Sequence, residues 1–368
     1  MSNLRLRSMI LVALFCSLMA GSVSSQVRTE TVAEGLEYPW ALAFLPDGEL
    51  LVTERVGNLR RVDRDGSLSA PLTGLPEILV KGQGGLMDLA LAPDFESSRE
   101  IYLSYAIGNP EANATQLARG RLGEDALEDF TIIFTEQPLR NRPVHYGARM
   151  VFLNDGSLLL TLGDAFDLRE QAQNLFTHTG SIVRLTRDGQ APEDNPFIDR
   201  TDARAEIYSY GHRNPQGVVV DRQNGVVWSH EHGPRGGDEL NRIEAGVNYG
   251  WPLATRGIDY SGARITPFED WPEARSPEWG WTPSIAPAGM ALYRGSAFPE
   301  WDGDLLIASL AERSLRRIDL DDDEVVDDTL IALDVSERLR DVRVSPEGQV
   351  YLLTDSTEGR ILRLLPEG

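Results

Sequence analysis

One pattern recurs along this chain: an apolar strand, a turn built on Asp, Asn or Glu followed by Gly, then a second apolar strand. It runs Ala43-Phe44-Leu45-Pro46-Asp47-Gly48 into Leu50-Leu51-Val52, and Val151-Phe152-Leu153-Asn154-Asp155-Gly156 into Leu158-Leu159-Leu160. It returns as Val218-Val219-Val220-Asp221 with Asn224-Gly225 before Val226-Val227-Trp228, and as Val342-Arg343-Val344-Ser345-Pro346-Glu347-Gly348 before Val350-Tyr351-Leu352. Degenerate copies lie around Leu89-Ala90-Leu91-Ala92-Pro93 before Ile101-Tyr102, and around Phe298-Pro299-Glu300-Trp301-Asp302-Gly303 before Leu305-Leu306. The glycine-containing turns supply the positive φ that tight strand reversal needs. Closing strands such as Asn58-Leu59-Arg60-Arg61-Val62 and Arg360-Ile361-Leu362-Arg363-Leu364 follow some copies. Six units spaced by roughly 45–65 residues predict an all-β chain, a six-bladed β-propeller of four-stranded antiparallel blades. A β-sandwich or an irregular solenoid is the alternative.

Length supports the repeat. The first residues, Met-Ser-Asn-Leu-Arg-Leu-Arg, then an apolar run from Met9 to Ala20 and small or polar residues from Gly21 to Gln26, read as a secretory signal peptide over 1–25. The run is too short to span a bilayer comfortably, since a membrane helix needs about 20 apolar residues. Export to the periplasm or outside the cell follows, with no stable membrane insertion once the leader is removed. The remaining 26–368 exceeds most single-core domains, yet no Ser/Gly/Pro-rich linker divides it, which repeats adding their own layers of core would explain. The one cysteine, Cys16, lies inside the leader, so the mature chain has no disulfide and no cysteine-ligated metal. With 35 Lys+Arg against 57 Asp+Glu, the formal charge of -22 disfavours nucleic acid and anionic membrane as partners. Any anionic ligand then needs a local cluster of arginines.

Three polar blocks interrupt the repeat. The densest holds Tyr210-Gly211-His212-Arg213-Asn214-Pro215-Gln216-Gly217, Glu231-His232-Gly233-Pro234-Arg235-Gly236-Gly237-Asp238-Glu239-Leu240-Asn241 and Asn248-Tyr249-Gly250-Trp251. Glycines and prolines among acids offer backbone carbonyls beside carboxylates, the hard-oxygen inventory of calcium, although such loops are also ordinary turns. Zinc fits less well, because His230 and His232 lack a third ligand at a recognisable spacing. The second block, Arg142-Pro143-Val144-His145-Tyr146-Gly147-Ala148-Arg149, is followed nineteen positions after the histidine by Asp164. In a propeller both residues would face one rim, where a carboxylate beside an imidazole makes a general base; a histidine satisfied by structural hydrogen bonds is the plainer alternative. In the third block, Glu337-Arg338-Leu339-Arg340-Asp341, strand alternation puts both arginines on one side. They are either part of an anion clamp with Arg213 or an exposed pair matched by Glu337 and Asp341.

Together, in order and wording, these blocks resemble the aldose dehydrogenase branch of the soluble quinoprotein glucose/sorbosone dehydrogenase family. The resemblance runs from Pro39-Trp40-Ala41-Leu42-Ala43-Phe44 through Gly82-Gln83-Gly84-Gly85-Leu86 to Leu352-Leu353-Thr354-Asp355. It implies a six-bladed propeller and oxidation of an aldose at its anomeric carbon to a lactone, using calcium and pyrroloquinoline quinone (PQQ). Residue by residue, His145 matches the catalytic base and Asp164 its partner. Gln83, Arg213, Asn214, Arg338 and Arg340 match positions that contact PQQ, a planar tricarboxylate. Ser284 matches a hydroxyl near the cofactor, and Tyr260 is a weaker match. Gly233 and Pro234 match carbonyl ligands of the cofactor calcium, and Glu239 and Tyr249 match ligands of a structural calcium. Ala311 stands where the glucose dehydrogenase branch has lysine, and His232 where it has glutamine.

The resemblance leaves the natural sugar, the electron acceptor and the choice between monomer and homodimer open. Two other functions share the scaffold: a calcium-dependent lactonase, and a non-catalytic exported carbohydrate-binding propeller. The first gives no reason for Arg213, Arg338 and Arg340 to converge. The second predicts erosion of the base or the arginines.

Overall fold

A computed structural model describes residues 27–366; the expected leader over 1–25, with Cys16, lies outside them. Six small antiparallel sheets form a ring, a six-bladed β-propeller. The innermost strands are Pro39–Phe44, Leu86–Leu91, Met150–Phe152, Pro215–Val220, Pro287–Leu292 and Leu339–Val344. Each is the first half of one of the six repeated hairpins, and each turns back along the second strand of its blade. The glycines of the turns carry the positive φ, 85° at Gly48 and 84° at Gly156. The acids before them instead accept backbone N–H groups two residues on, as Asp47 does from Glu49 at 3.1 Å and Asp155 from Ser157 at 2.8 Å.

Among the described residues five blades have four strands and one has three, a departure from six equal blades. In the short blade (Pro39–Phe44, Leu50–Glu54, Asn58–Val62), a segment lies beside the last strand through Ser69 N–H to Arg61 O at 3.0 Å and Leu72 N–H to Leu59 O at 2.8 Å. Pro71 falls between those two donors and has no N–H to continue the ladder. The last blade takes its outermost strand from the other end of the chain. Arg28–Leu36 pairs antiparallel with Gly359–Leu365, from Arg28 opposite Leu365 to Leu36 opposite Gly359, and closes the ring.

A single blade is too thin to cover its own faces, so the apolar core lies between blades. Trp40, Leu51 and Leu59 of the first blade pack with Leu86, Leu103 and Tyr105 of the second. Tyr102 meets Phe152 edge-on at 5.0 Å across the next boundary, and Phe44 meets Tyr351 at 5.1 Å where the ring closes. Among the described residues no helix is long and apolar enough to cross a membrane.

Antiparallel pairing sets the site. The residue entering an inner strand and the residue leaving the second strand of the same blade lie at one end of the sheet. Gln83, His145, Asn214 and Arg338 stand just before inner strands; Arg55, Asp164, His232 and Asp355 stand just after second strands. All eight therefore collect at the rim opposite the hairpin turns.

Candidate active site at one rim of the propeller

His145 and Asp164 meet as the spacing predicts: Nδ1 of the imidazole lies 2.6 Å from the Asp164 carboxylate. The other carboxylate oxygen accepts the Trp251 indole N–H at 2.9 Å, and the backbone N–H of Phe166 donates to the first at 2.8 Å. Burial opposes ionisation of Asp164, but its hydrogen bond to His145, with the charges of His145 and Arg213, holds it below the ordinary carboxylate value. Burial pushes His145 down, and Asp164 only partly offsets this against the repulsion of Arg213 and Arg140. The imidazole is thus neutral near pH 7, with Nδ1–H donated to Asp164 and the lone pair on Nε2. Among the described residues nothing hydrogen-bonds Nε2.

His145 sits at φ 53°, a left-handed conformation that costs a non-glycine residue roughly 1–3 kcal/mol. Two long side chains hold it there: Gln83 accepts its N–H at 2.7 Å, and buried Arg140 donates to its carbonyl at 2.7 Å. Its carbonyl also presses on Gly163, where a Cβ would come within 1.9 Å of that oxygen. Glycine before Asp164 is therefore required by close approach.

Two cavities flank this pair. One, of about 460 Å³, is lined by Gln83, Asn214, Arg338 and Arg340 of the sequence-predicted set, with Trp40, Arg55 and Asp355 among the rest. The other, of about 310 Å³, is lined by Asp164, Arg213, Pro234 and Tyr260. His145 lines neither; its neighbours Gln83, Tyr146 and Gly147 face the first and its partner Asp164 faces the second, which places the imidazole in the wall they share. Tyr260 stacks on Phe166 at 6.2 Å, away from the Arg338 and Arg340 pair.

The two arginines are not matched by Glu337 and Asp341. Glu337 pairs with Arg360, and Asp341 with Arg149 and Arg343. Arg338 and Arg340 instead share Asp355, at 3.0 and 3.4 Å, and with Arg55 they leave the first cavity an excess of positive charge. The Arg340 Nε is buried and has no partner among the described residues. His232, also in this wall, is bonded through Nε2 to the Pro287 carbonyl at 2.7 Å and is pushed down to about 3, mainly by burial, so it adds no charge.

The calcium candidates form two groups. Around Gly233 the carbonyls of Gly236 and Gly237 approach so closely that a Cβ would lie 2.4 and 2.2 Å from them. Arg213 donates to the Gly233 carbonyl at 2.6 Å and to that of His232 at 2.9 Å. Ser284 does not line the arginine cavity; its hydroxyl donates to Asp238 at 2.6 Å, and Asp238 in turn accepts the Gly233 N–H at 2.8 Å. Ser284 thereby braces this loop. Deeper, Glu231 and Glu239 face each other across paired strands, with Asn241 Nδ2 3.5 Å from each. Asn241 Oδ1 is buried and has no partner among the described residues, and burial together with Glu231 pushes Glu239 up to about 8. Glu231 is engaged by His212 and by the N–H groups of Arg213 and Asn214, which leaves the Glu239 carboxylate and the orphaned amide oxygen as hard-oxygen donors of the kind a cation such as calcium takes. The Tyr249 phenol is occupied, donating to Arg242 O at 2.6 Å and accepting Glu244 N–H at 2.8 Å, so only its main chain is left for a ligand role.

Sequence reasoning missed Trp251, Arg55 and Asp355 as site residues. Asp355 and Trp251 stood inside the strings that carry the resemblance, but their partners are made by tertiary contact.

The Glucose / Sorbosone dehydrogenase family profile matches residues 36–363. The chain is 42% identical to aldose sugar dehydrogenase YliI of Escherichia coli (strain K12), over 98% of this chain and 99% of that protein. The solved apo-form of the soluble aldose sugar dehydrogenase from Escherichia coli superposes with a TM-score of 0.90 at 42% identity, covering 93% of this chain and 100% of that one. The PQQ-bound aldose sugar dehydrogenase from Streptomyces coelicolor gives 0.77 at 29% identity, covering 93% and 99%.

Proposed function

The chain belongs to the glucose/sorbosone dehydrogenase family of oxidoreductases, and from that premise we propose that it oxidises aldoses at the anomeric carbon to lactones, with PQQ and calcium as cofactors. The observation that carries the reading is a neutral, carboxylate-oriented histidine whose neighbours Gln83, Tyr146 and Gly147 line an arginine-rich cavity.

The residues present fit the cofactors. Arg338, Arg340 and Arg213, with Gln83 and Asn214, would hold the carboxylates of PQQ; the unpartnered Nε of Arg340 is a donor in want of an acceptor. Carbonyls of Gly233 and Pro234 would hold the cofactor calcium, the former sharing its two lone pairs with Arg213. Glu239, with the main chain of Tyr249, would hold a structural calcium. When bound, PQQ supplies a two-electron acceptor for the hydride from the anomeric carbon, and calcium polarises it as a Lewis acid.

The chain's own part is proton handling and placement. Nε2 of His145 takes the proton of the anomeric hydroxyl as the carbonyl of the lactone forms. Asp164 fixes the tautomer and stabilises the imidazolium, while Trp251 and the Phe166 N–H keep the carboxylate aimed. Tyr260 and Phe166 offer aromatic surface in the second cavity. Residues 1–25 direct export, which the N-terminal sequence of the mature protein tests.

The test is reconstitution. Apoprotein given calcium and PQQ is expected to reduce an artificial dye on addition of aldoses, with a matching change in cofactor absorbance. Folded, reconstituted protein without turnover across a broad sugar panel rejects the dehydrogenase reading.

A further inference from the structure

The propeller axis carries a second cluster of charge, which the proton chemistry above does not use. Arg149, 3% exposed, lies at its centre. Its guanidinium spans 3.1 Å to Asp341 and 3.4 Å to Asp88, donates from Nε to the Gln216 carbonyl at 2.9 Å and from Nη2 to the Arg340 carbonyl at 3.1 Å. Its face covers the Trp40 ring at 3.9 Å. Arg343 completes the group, bonded to Asp88 at 2.8 Å and Asp341 at 2.7 Å. Two cations and two anions balance, as buried charges must.

Three of these contacts reach the wall of the arginine cavity. Trp40, Gln216 and Arg340 all line it, and they come from three different blades. On the opposite side of the cluster, Arg343 lines a cavity of about 430 Å³ with Phe44, Leu91, Phe152 and Val344, at the far ends of the inner strands. The cluster thus stands at mid-depth in the central channel, between its two mouths.

We propose that Arg149 is a positioning residue for the cofactor: it fixes Trp40, Gln216 and Arg340 in the cavity wall and closes the cavity floor against the other mouth of the channel. This rests on the PQQ reading above. A planar fork with donors on three nitrogens and an open face can serve four directions at once; a lysine, a point charge on a flexible stem, cannot. The held Arg340 carbonyl sets the start of a strand whose side chain meets the anion.

The experiment is titration of calcium-loaded protein with PQQ, followed by quenching of tryptophan fluorescence, beside thermal melts. Two variants are compared with wild type: Arg149→Lys, which keeps the charge without the fork, and the double variant Arg149→Met with Asp341→Asn, which keeps charge balance. Both are expected to fold, to raise the PQQ Kd by about tenfold or more, and to keep kcat at saturating PQQ within about threefold. A lowered Tm with Kd within twofold of wild type in both variants assigns Arg149 to stability alone and overturns the proposal. So does a loss of saturated turnover larger than the loss of affinity, which assigns it to catalysis. If wild type binds no PQQ, the cofactor reading itself fails and this inference fails with it.

Discussion

Two histidine–carboxylate pairs stand in successive blades at the same spacing, His145 with Asp164 and His212 with Glu231, each separated by 19 positions. Both are buried, and both bond through Nδ1, at 2.6 and 2.9 Å. They differ at the other nitrogen. His212 Nε2 is taken by the Ser209 hydroxyl at 2.9 Å, and its ring stacks on Tyr249 at 4.8 Å. His145 Nε2 has no such partner and lies in a wall between two cavities. Glu231 is equally committed, accepting the backbone N–H groups of Arg213 and Asn214, which fixes the turn that presents both side chains. A carboxylate orients an imidazole in either case, so the nitrogen left over is what separates the proposed base from a structural histidine.

The sharpest way to break that distinction is to remove each ring. His145→Ala is expected to lower kcat by about 10²- to 10⁴-fold, the range of a lost general base, with the melting temperature little changed and PQQ affinity within about threefold. Steady-state kinetics with fluorescence titration checks this; undiminished turnover removes His145 from the chemistry. His212→Ala is expected to do the reverse. It takes a stacked, doubly bonded ring from the interior, a loss of about 2–4 kcal/mol in stability by urea unfolding, while kcat at saturating cofactor stays within about fivefold. A stable but inactive His212→Ala protein would make the two pairs functional equals.

Spacing alone could not have separated the pairs, and this marks where the sequence stops being legible. Hairpins were readable because their turn chemistry and strand pattern are local, down to the glycine φ at Gly48 and Gly156. Ring closure was not: Arg28–Leu36 meets Gly359–Leu365 across almost the whole chain, and nothing in either segment names the other. In the first blade the segment beside the last strand leaves ladder pairing at Ser69 and Pro71, in a stretch that carried no repeat signal. Within the candidate site, the meeting of His145 with Asp164 was legible because strand ends of a propeller share a rim, and strand alternation put Arg338 and Arg340 on one side, where both line one cavity. Their true partners were hidden. Asp355, not Glu337 or Asp341, balances Arg338 and Arg340, because strand alternation specifies a side of the sheet and not the neighbour across it. Ser284 pointed to the cofactor by resemblance, yet its hydroxyl is bonded to Asp238 under the Gly233 loop.

The smallest expected effect is also the most specific to the His145 pair. Burial, the largest influence on this ring, lowers its pKa, and Asp164 counters it only in part. A base is competent while neutral, so competence is complete above the folded pKa and lost as pH falls through it; with the pKa lowered, that loss sits below the ordinary 6.5. NMR titration of the His145 ring in protein free of cofactor, assigned by its absence from His145→Ala, is expected to show a midpoint under that value. A midpoint at or above it contradicts the picture of a desolvated base. Trp251→Phe then tests the support. The indole N–H holds part of the Asp164 charge on the oxygen facing away from His145, and Phe retains a ring beneath Arg213, whose guanidinium lies 5.4 Å from the Trp251 ring. Without that donor more of the charge faces the imidazole and favours its protonated form, so the midpoint is expected to rise by a few tenths of a unit, up to roughly 0.5. A fall, or no movement, would mean that Trp251 packs beside the carboxylate without tuning it, and that Asp164 is aimed by the Phe166 N–H alone.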